Sequence, residues 1–238
     1  REVQHISEYG YTIKNKDFER TIGIKRNAIE DDQYGVYTPM FGLMGQEAGE
    51  HYNDLVFGML ANGFTEKCYD GKTFFAEDHV SGEKTFSNTS TAALSTESFL
   101  AARQAMTSIV GDKDKPLKLV PYLLVVSHKN EMVAKKILEA SLIDGTTNIT
   151  QNLAKIKVAS ELDGANEDAW FLLCTKKFLK PLILQIREKI KFGMLTRDTD
   201  LNVFLRKEYL YGCDCRDNVG FGFWQMAYGS TGKTSGLG

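Results

Sequence analysis

Between Pro39 and Asn62 the apolar residues Phe41, Met44, Ala48, Tyr52, Leu55 and Met59 recur at intervals of three and four, which places them on one face of a helix. Thr38 can cap its start, Pro39 suits the first helical position and Gly63 can close it. At 1.5 Å per residue the segment makes a rod of about 36 Å, and whatever else the chain builds must be arranged along that rod. Yet Gly42, Gly45, Gly49 and Gly58 lie inside it, each less favourable there than Ala by about 1 kcal/mol. Gly42, Gly45 and Gly49 share a side, so close approach by another backbone is the expectation, with a helix broken near Gly45 to Gly49 as the alternative.

Ahead of the rod the period is two. Phe18, Arg20, Ile22 and Ile24 alternate with Glu19, Thr21, Gly23 and Lys25, and Asn15 to Asp17 offers turn residues, so Tyr11 to Asp32 reads as a charged hairpin. A lone two-stranded ribbon is marginal in water, so this one should lean on its own domain or on a neighbouring subunit. Beyond the rod, Phe64 to Ser95 is rich in turn residues. A second helix is expected over Glu97 to Val110, with Phe99, Ala102, Met106 and Ile109 inward and Gly111 as its stop. Gly111 to Lys115 is a charged linker, Leu119 to Val126 a buried strand, and Ser127 a cap for a helix over Glu131 to Ala140 with Val133 and Ile137 inward. The last third predicts strands over Trp170 to Thr175, Leu182 to Arg187, Asn202 to Tyr211 and Val219 to Tyr228, then a low-complexity tail, Gly229 to Gly238.

Charge and composition exclude several classes. Lys plus Arg number 29 against 31 Asp plus Glu, a net charge of −2, so contact with nucleic acid would be local and weak. Leu119 to Val126, the longest uncharged apolar stretch, is far short of the roughly 20 residues that span a bilayer, and Arg1 to Tyr9 lacks the apolar core of a signal peptide. The four cysteines, Cys68, Cys174, Cys213 and Cys215, lack the paired C-x-x-C spacing of a zinc site and read as reduced structural residues.

A search for catalytic chemistry returns nothing. Gly229 to Thr234 ends like a phosphate-binding loop, but Ala227 stands where the first Gly is required and too few residues follow for a helix. His51 has Glu47 at i−4 but no second His on its face. Asp78 and His79 could polarise one another, although an acidic turn with a hydrogen-bonded His is the simpler reading. Ser127 and His128 are adjacent and point apart. Glu30, Asp31, Asp32, Asp198 and Asp200 sit in solvated charged runs, as do Lys176, Lys177 and Lys180. Lys14, Lys16, Arg20, Lys25 and Arg26 interleave with Asp17, Glu19 and Glu30, a mixture suited to another protein surface. No catalytic, metal or cofactor site is expected, and the chain reads as not an enzyme.

The more specific signal is a series of motifs in order: YTIKNKDFERTI from Tyr11 to Ile22, DDQYGVY from Asp31 to Tyr37, NDLVFGML from Asn53 to Leu60, and CYDG from Cys68 to Gly71 with Phe74-Phe75 and Asp78-His79. RKEYLYG from Arg206 to Gly212 and GFWQMAYGSTG from Gly222 to Gly232 complete it. Together they resemble the Mu-like phage major head subunit (T protein) family. The resemblance implies an α+β Hong Kong 97-type capsid fold: residues 1–10 a remnant of the N-terminal arm, 11–34 an extended hairpin loop, 35–115 a peripheral domain with the spine helix, 116–176 an axial domain, and 177–238 return strands and C-terminal segment. It implies a major capsid protein that self-assembles, as hexamers and pentamers, into an icosahedral shell around the phage genome. Its partners would be further copies, a scaffold, a maturation protease and weakly held double-stranded DNA, without membrane; it would be assembled in the bacterial host cytoplasm and reside in the virion capsid. Residues expected at subunit interfaces are Phe18, Arg20, Ile22, Ile24, Lys25 and Arg26 of the loop and Gly42, Gly45 and Gly49 of the helix. An encapsulin-like cargo shell and a small α/β enzyme using Asp78 and His79 are the alternatives.

Overall fold

The computed structural model describes residues 11–32, 35–111, 114–143 and 145–233; the expected arm, 1–10, and the end of the tail lie outside them. In chain order the elements are β1 (Lys16–Lys25), α1 (Arg26–Glu30), α2 (Tyr37–Ala61), β2 (His79–Ser81), β3 (Lys84–Phe86), β4 (Thr89–Ser90), α3 (Thr96–Thr107) and β5 (Leu123–Val126). There follow α4 (His128–Leu138), β6 (Leu142–Ile143), β7 (Thr146–Thr147), β8 (Lys155–Val158), β9 (Trp170–Leu173), β10 (Leu182–Leu195), α5 (Leu201–Arg206), β11 (Glu208–Phe221) and β12 (Ala227–Ser230). They divide into two compact units: unit 1 holds residues 1–12, 56–183 and 220–238, and unit 2 holds 13–55 and 184–219. Among the described residues no helix is long and apolar enough to cross a membrane.

Unit 1 is organised by a five-stranded mixed sheet in the order β4-β12-β9-β5-β8. β9 and β5 lie in its interior, which is why Trp170 to Leu173 and Leu124 to Val126 are continuous apolar runs, all buried. α3 begins with a capping box, Ser95 accepting from the Ser98 amide, and buries Phe99, Ala102 and Met106; Ile109 follows them into the core, as its spacing predicts. Ser127 does cap α4 by accepting from the Asn130 amide, but the helix starts at His128, three residues earlier than expected. Its inward face is consequently Ala134, Ile137 and Leu138, and Val133 stays exposed on the flank.

The first two residues of the expected low-complexity tail, Gly229 and Ser230, join this sheet. Ala227 to Ser230 pairs antiparallel with β9 and parallel with β4, and all four residues are buried. Small residues serve packing here: a Cβ on Gly229 would stand 2.9 Å from the Phe75 ring, and one on Gly222 would collide with the Lys180 carbonyl.

Unit 2 corrects two expectations. Of the hairpin expected over 11–34, the described residues form one strand followed by α1: β1 pairs antiparallel with β11, from Lys16 opposite Asp217 to Lys25 opposite Glu208, in a three-stranded sheet ordered β1-β11-β10. The turn residues Asn15 to Asp17 fold nothing back; the Asn15 side chain accepts from Gln185 Nε2 at 2.7 Å, and β1 takes its partner from the far end of the chain. The strand expected over Asn202 to Tyr211 begins as helix. Asp200 accepts from the Arg197 amide, and Asn202 Nδ2 donates to the carbonyls of Leu195 and Glu208, so α5 forms a turn closed by Lys207 in the left-handed region at φ 53° before β11 starts.

α2 runs unbroken for 25 residues, so the alternative of a broken helix does not hold. The close approach expected at Gly42, Gly45 and Gly49 does not occur within the chain either, since a Cβ at each would meet nothing within 4 Å.

Candidate functional site

The residues expected at an interface are placed unevenly. On β1, Phe18 packs edge-on against His51 of α2 with ring centroids 4.6 Å apart, and Ile24 is only 5% exposed. Arg20 forms an ion pair with Glu47 of α2. Ile22 is half-buried opposite Tyr211. These groups therefore complete unit 2 itself, because the residues of β1 that alternate inward are the ones that meet α2. Lys25 is exposed, and Arg26 bonds Glu30 at 2.8 Å and Asp198 at 3.1 Å, tying α1 to the segment before α5. Gly42, Gly45 and Gly49 are all exposed.

Exposed apolar surface gathers at the far end of the three-stranded sheet, which periodicity did not single out. β10 extends eight residues past the expected Arg187 to Leu195, and at its end Phe192 and Met194 on one face and Leu195 on the other are exposed. α5 adds Leu201, Phe204 and Leu205, with Phe204 77% exposed and Leu201 71% exposed, while Val203 alone points into the unit. Six large apolar side chains on neighbouring short segments exceed the scattered exposure normal for a monomer. The rest of β10, an edge strand, carries Arg187, Glu188, Lys189 and Lys191, charges of the kind that discourage indiscriminate strand pairing.

Each unit also buries a His, an Asp and a Cys together. In unit 1, His79 is fully buried, stacked on Trp224 at 4.2 Å, with Nδ1 2.6 Å from Asp70 Oδ2 and Nε2 3.2 Å from the Phe74 carbonyl. Asp70 also accepts from Cys68 Sγ at 3.1 Å and from the Lys72 amide at 3.0 Å. Burial pushes the Asp70 carboxyl up, but the bonds from Cys68, His79 and Lys72 outweigh it and hold the group below its ordinary value. Burial drives the Cys68 thiol up to about 12, so it is no nucleophile at neutral pH. Asp78, the neighbour on which the enzyme reading depends, is exposed and pairs with Lys72 Nζ at 2.8 Å, while His79 is buried against Asp70.

In unit 2, His51 Nε2 lies 3.0 Å from Asp217 Oδ1, and Cys215 joins them, with donor atoms of all three within 4.8 Å of one another. Asp217 is fully buried and its Oδ2 has no hydrogen-bond partner among the described residues. Burial first, then the Asp217 charge, pushes the Cys215 thiol up to about 11. A cavity of about 150 Å³ lies against the cluster, lined among others by Phe18, Met44, Ala48 and Cys213. Sequence spacing could not disclose this group: His51 and Asp217 are 166 residues apart, and only the pairing of β1 with β11 beneath α2 brings them together.

The profile of the "Mu-like prophage major head subunit gpT" family matches residues 1–93, 85–162 and 154–235. The Mu-like prophage FluMu major head subunit of Haemophilus influenzae is 30% identical over 233 residues, 98% of this chain and 56% of that protein. The major capsid protein of Escherichia phage Mu is 31% identical over 229 residues, 95% of this chain and 54% of that protein. The chain thus spans about half the length of these relatives. Among solved structures, the capsid of bacteriophage JBD30 decorated with minor capsid protein trimers superposes with a TM-score of 0.61 at 26% identity, over 68% of this chain and 79% of that one. The capsid of cyanophage P-SCSP1u gives 0.59 at 10% identity, over 94% and 77%, a likeness of fold alone.

Proposed function

The chain belongs to the Mu-like prophage major head subunit gpT family, and on that premise we propose that it builds a phage head by packing against further copies of itself. Its α+β fold is that of tailed-phage capsid proteins of the Hong Kong 97 type. The observation that carries the proposal is the apolar end of unit 2, Phe192, Met194, Leu195, Leu201, Phe204 and Leu205, exposed on a chain with a well-formed core elsewhere. In this reading unit 2 supplies the extended and spine elements and unit 1 the axial domain. The exposed Gly42, Gly45 and Gly49 side of α2 offers a second contact, where another backbone can come close.

A shell needs many copies of a modest contact, so no single patch has to be large. The family further suggests a scaffold, a maturation protease and packaged DNA as partners, assembly in the bacterial cytoplasm, and residence in the virion. A near-neutral chain suits DNA contact that is weak and indifferent to sequence. The relatives are named as head and capsid proteins, which does not favour a cargo-storing shell, and the burial of His79 away from Asp78 removes the geometry of the enzyme reading.

The test is electron microscopy with sizing of the full-length head subunit expressed with its assembly partners. Wild type should give closed particles, and Phe204→Ser with Leu205→Ser should give free subunits of native circular dichroism. Particles formed in normal yield by the double variant would overturn the assignment of this surface.

A further inference from the structure

We propose that His51, Cys215 and Asp217 form a binding site for one divalent transition metal of the zinc class. An imidazole nitrogen, a thiolate sulfur and a carboxylate oxygen are a donor set that zinc accepts as three protein ligands with one position left open. Cys215 and Asp217 are two residues apart on β11 and so project from the same face of the sheet, towards the turn of α2 that carries His51. The donor atoms already lie within 4.8 Å of one another, and His51 Nε2 and Asp217 Oδ1 within 3.0 Å. Metal–ligand bonds of about 2.0–2.3 Å require donor separations of roughly 3.5 Å in a tetrahedron, so closure needs only small side-chain rotations.

The matching cluster in unit 1 shows what a purely structural trio looks like. There Asp70 accepts from Cys68, from the Lys72 amide and at its second oxygen from His79, whose other nitrogen meets the Phe74 carbonyl. Every donor is engaged by protein. At Asp217, by contrast, Oδ2 is buried with no hydrogen-bond partner among the described residues, and it lies beside the imidazole and thiol that complete the donor set. The adjoining cavity of about 150 Å³ has room for a water at the fourth position. On binding, the Cys215 proton is given up to solvent, the proton that joins His51 Nε2 to Asp217 leaves to solvent or moves to Nδ1, the metal takes the place of that hydrogen bond, and two anionic ligands balance its two positive charges. The ion would then cross-link α2 to β11 within unit 2.

The probe is Co²⁺, titrated into the purified, metal-stripped and reduced 238-residue chain and followed by its thiolate-to-cobalt charge-transfer absorption. One equivalent should bind, Zn²⁺ should displace it, and Cys215→Ser should abolish the absorption. Asp217→Asn and His51→Gln should each weaken binding by about tenfold or more, whereas Cys68→Ser should leave it unchanged. Circular dichroism confirms that each variant is folded, and Asp217→Asn decides the matter if Cys215→Ser does not fold. The proposal falls if wild type gives no thiolate absorption, if Cys215→Ser or Asp217→Asn binds as wild type does, or if Cys68→Ser removes the signal.

Discussion

The two units answer the same physical problem differently. In unit 1 a five-stranded sheet is covered by helices, and Asn88 ties its interior together by donating to the carbonyls of Phe74, Trp224 and Ala227 and accepting from the Ala76 amide. In unit 2 a three-stranded sheet has α2 for its cover, both edge strands lack a further partner among the described strands, and large apolar side chains stand exposed at its far end. Unit 1 buries its sheet within the chain, with exposed apolar side chains such as Phe178, Ile149 and Met132 lying outside that sheet. Unit 2 gathers six large exposed apolar side chains at one end, the feature on which the proposed packing against further copies rests.

The contrast can be broken or sharpened by measurement, beginning with the largest effect. Phe171→Ala, in the centre of the unit 1 sheet, should cost about 3–5 kcal/mol in urea unfolding, because the surrounding aromatic rings cannot collapse into the space. A loss below about 1 kcal/mol would mean that unit 1 is not the closed core described. Asp70→Asn should cost about 1–3 kcal/mol at pH 7, since it weakens the bonds that Cys68, Lys72 and His79 make to the carboxylate. The native Asp70 carboxyl lies below its ordinary value of about 3.9, so its stabilisation is fully present above that pH and is lost as pH falls through the native value. The difference between Asp70→Asn and wild type should accordingly shrink on acidification, and a difference that grew would reverse the sign assigned here.

Effects in unit 2 should be smaller on stability and larger on assembly. Gly45→Ala should stabilise the chain by about 0.5–1 kcal/mol, because the position is helical and a methyl group meets nothing within 4 Å. If the glycine side of α2 also receives another subunit, the same variant should lower particle yield, so stability and assembly would move in opposite directions. Phe204→Ser, on exposed surface, should change unfolding free energy by less than about 0.5 kcal/mol. A large destabilisation by Phe204→Ser would show that the apolar end is covered within the chain, and the contrast between the units would fail.

Much of unit 1 was legible because its signals are local. The continuous run Leu124 to Val126, the Ser127 cap and the periodic face of α3 each specify their element within a dozen residues. The rod of α2 was legible for the same reason, and its glycines did not break it. Unit 2 was misread where its structure is non-local: alternation identified β1 as a strand but carried no information that its partner is β11. α5 was hidden because Val203, Phe204 and Leu205 have β propensity, while the features that overrule it, Asp200 and the two carbonyl bonds of Asn202, are polar and depend on the return of the chain. Phe18 and Arg20, expected at an interface, meet α2 within unit 2 for a related reason. Apolar residues on a charged strand look available to a neighbour until α2 is seen to cover Phe18.

The pairing of β1 with β11 also sets an order in time. Lys16 cannot meet Asp217, nor Lys25 meet Glu208, until nearly two hundred further residues have been made, which at 5–20 residues per second is about 10 to 40 s of synthesis. Throughout that interval β1 has no β11 to join, whereas β5, β8 and β9 of unit 1 can pair once residue 173 is made and only β4 must wait for β12. A nascent chain therefore cannot display the finished sheet of unit 2.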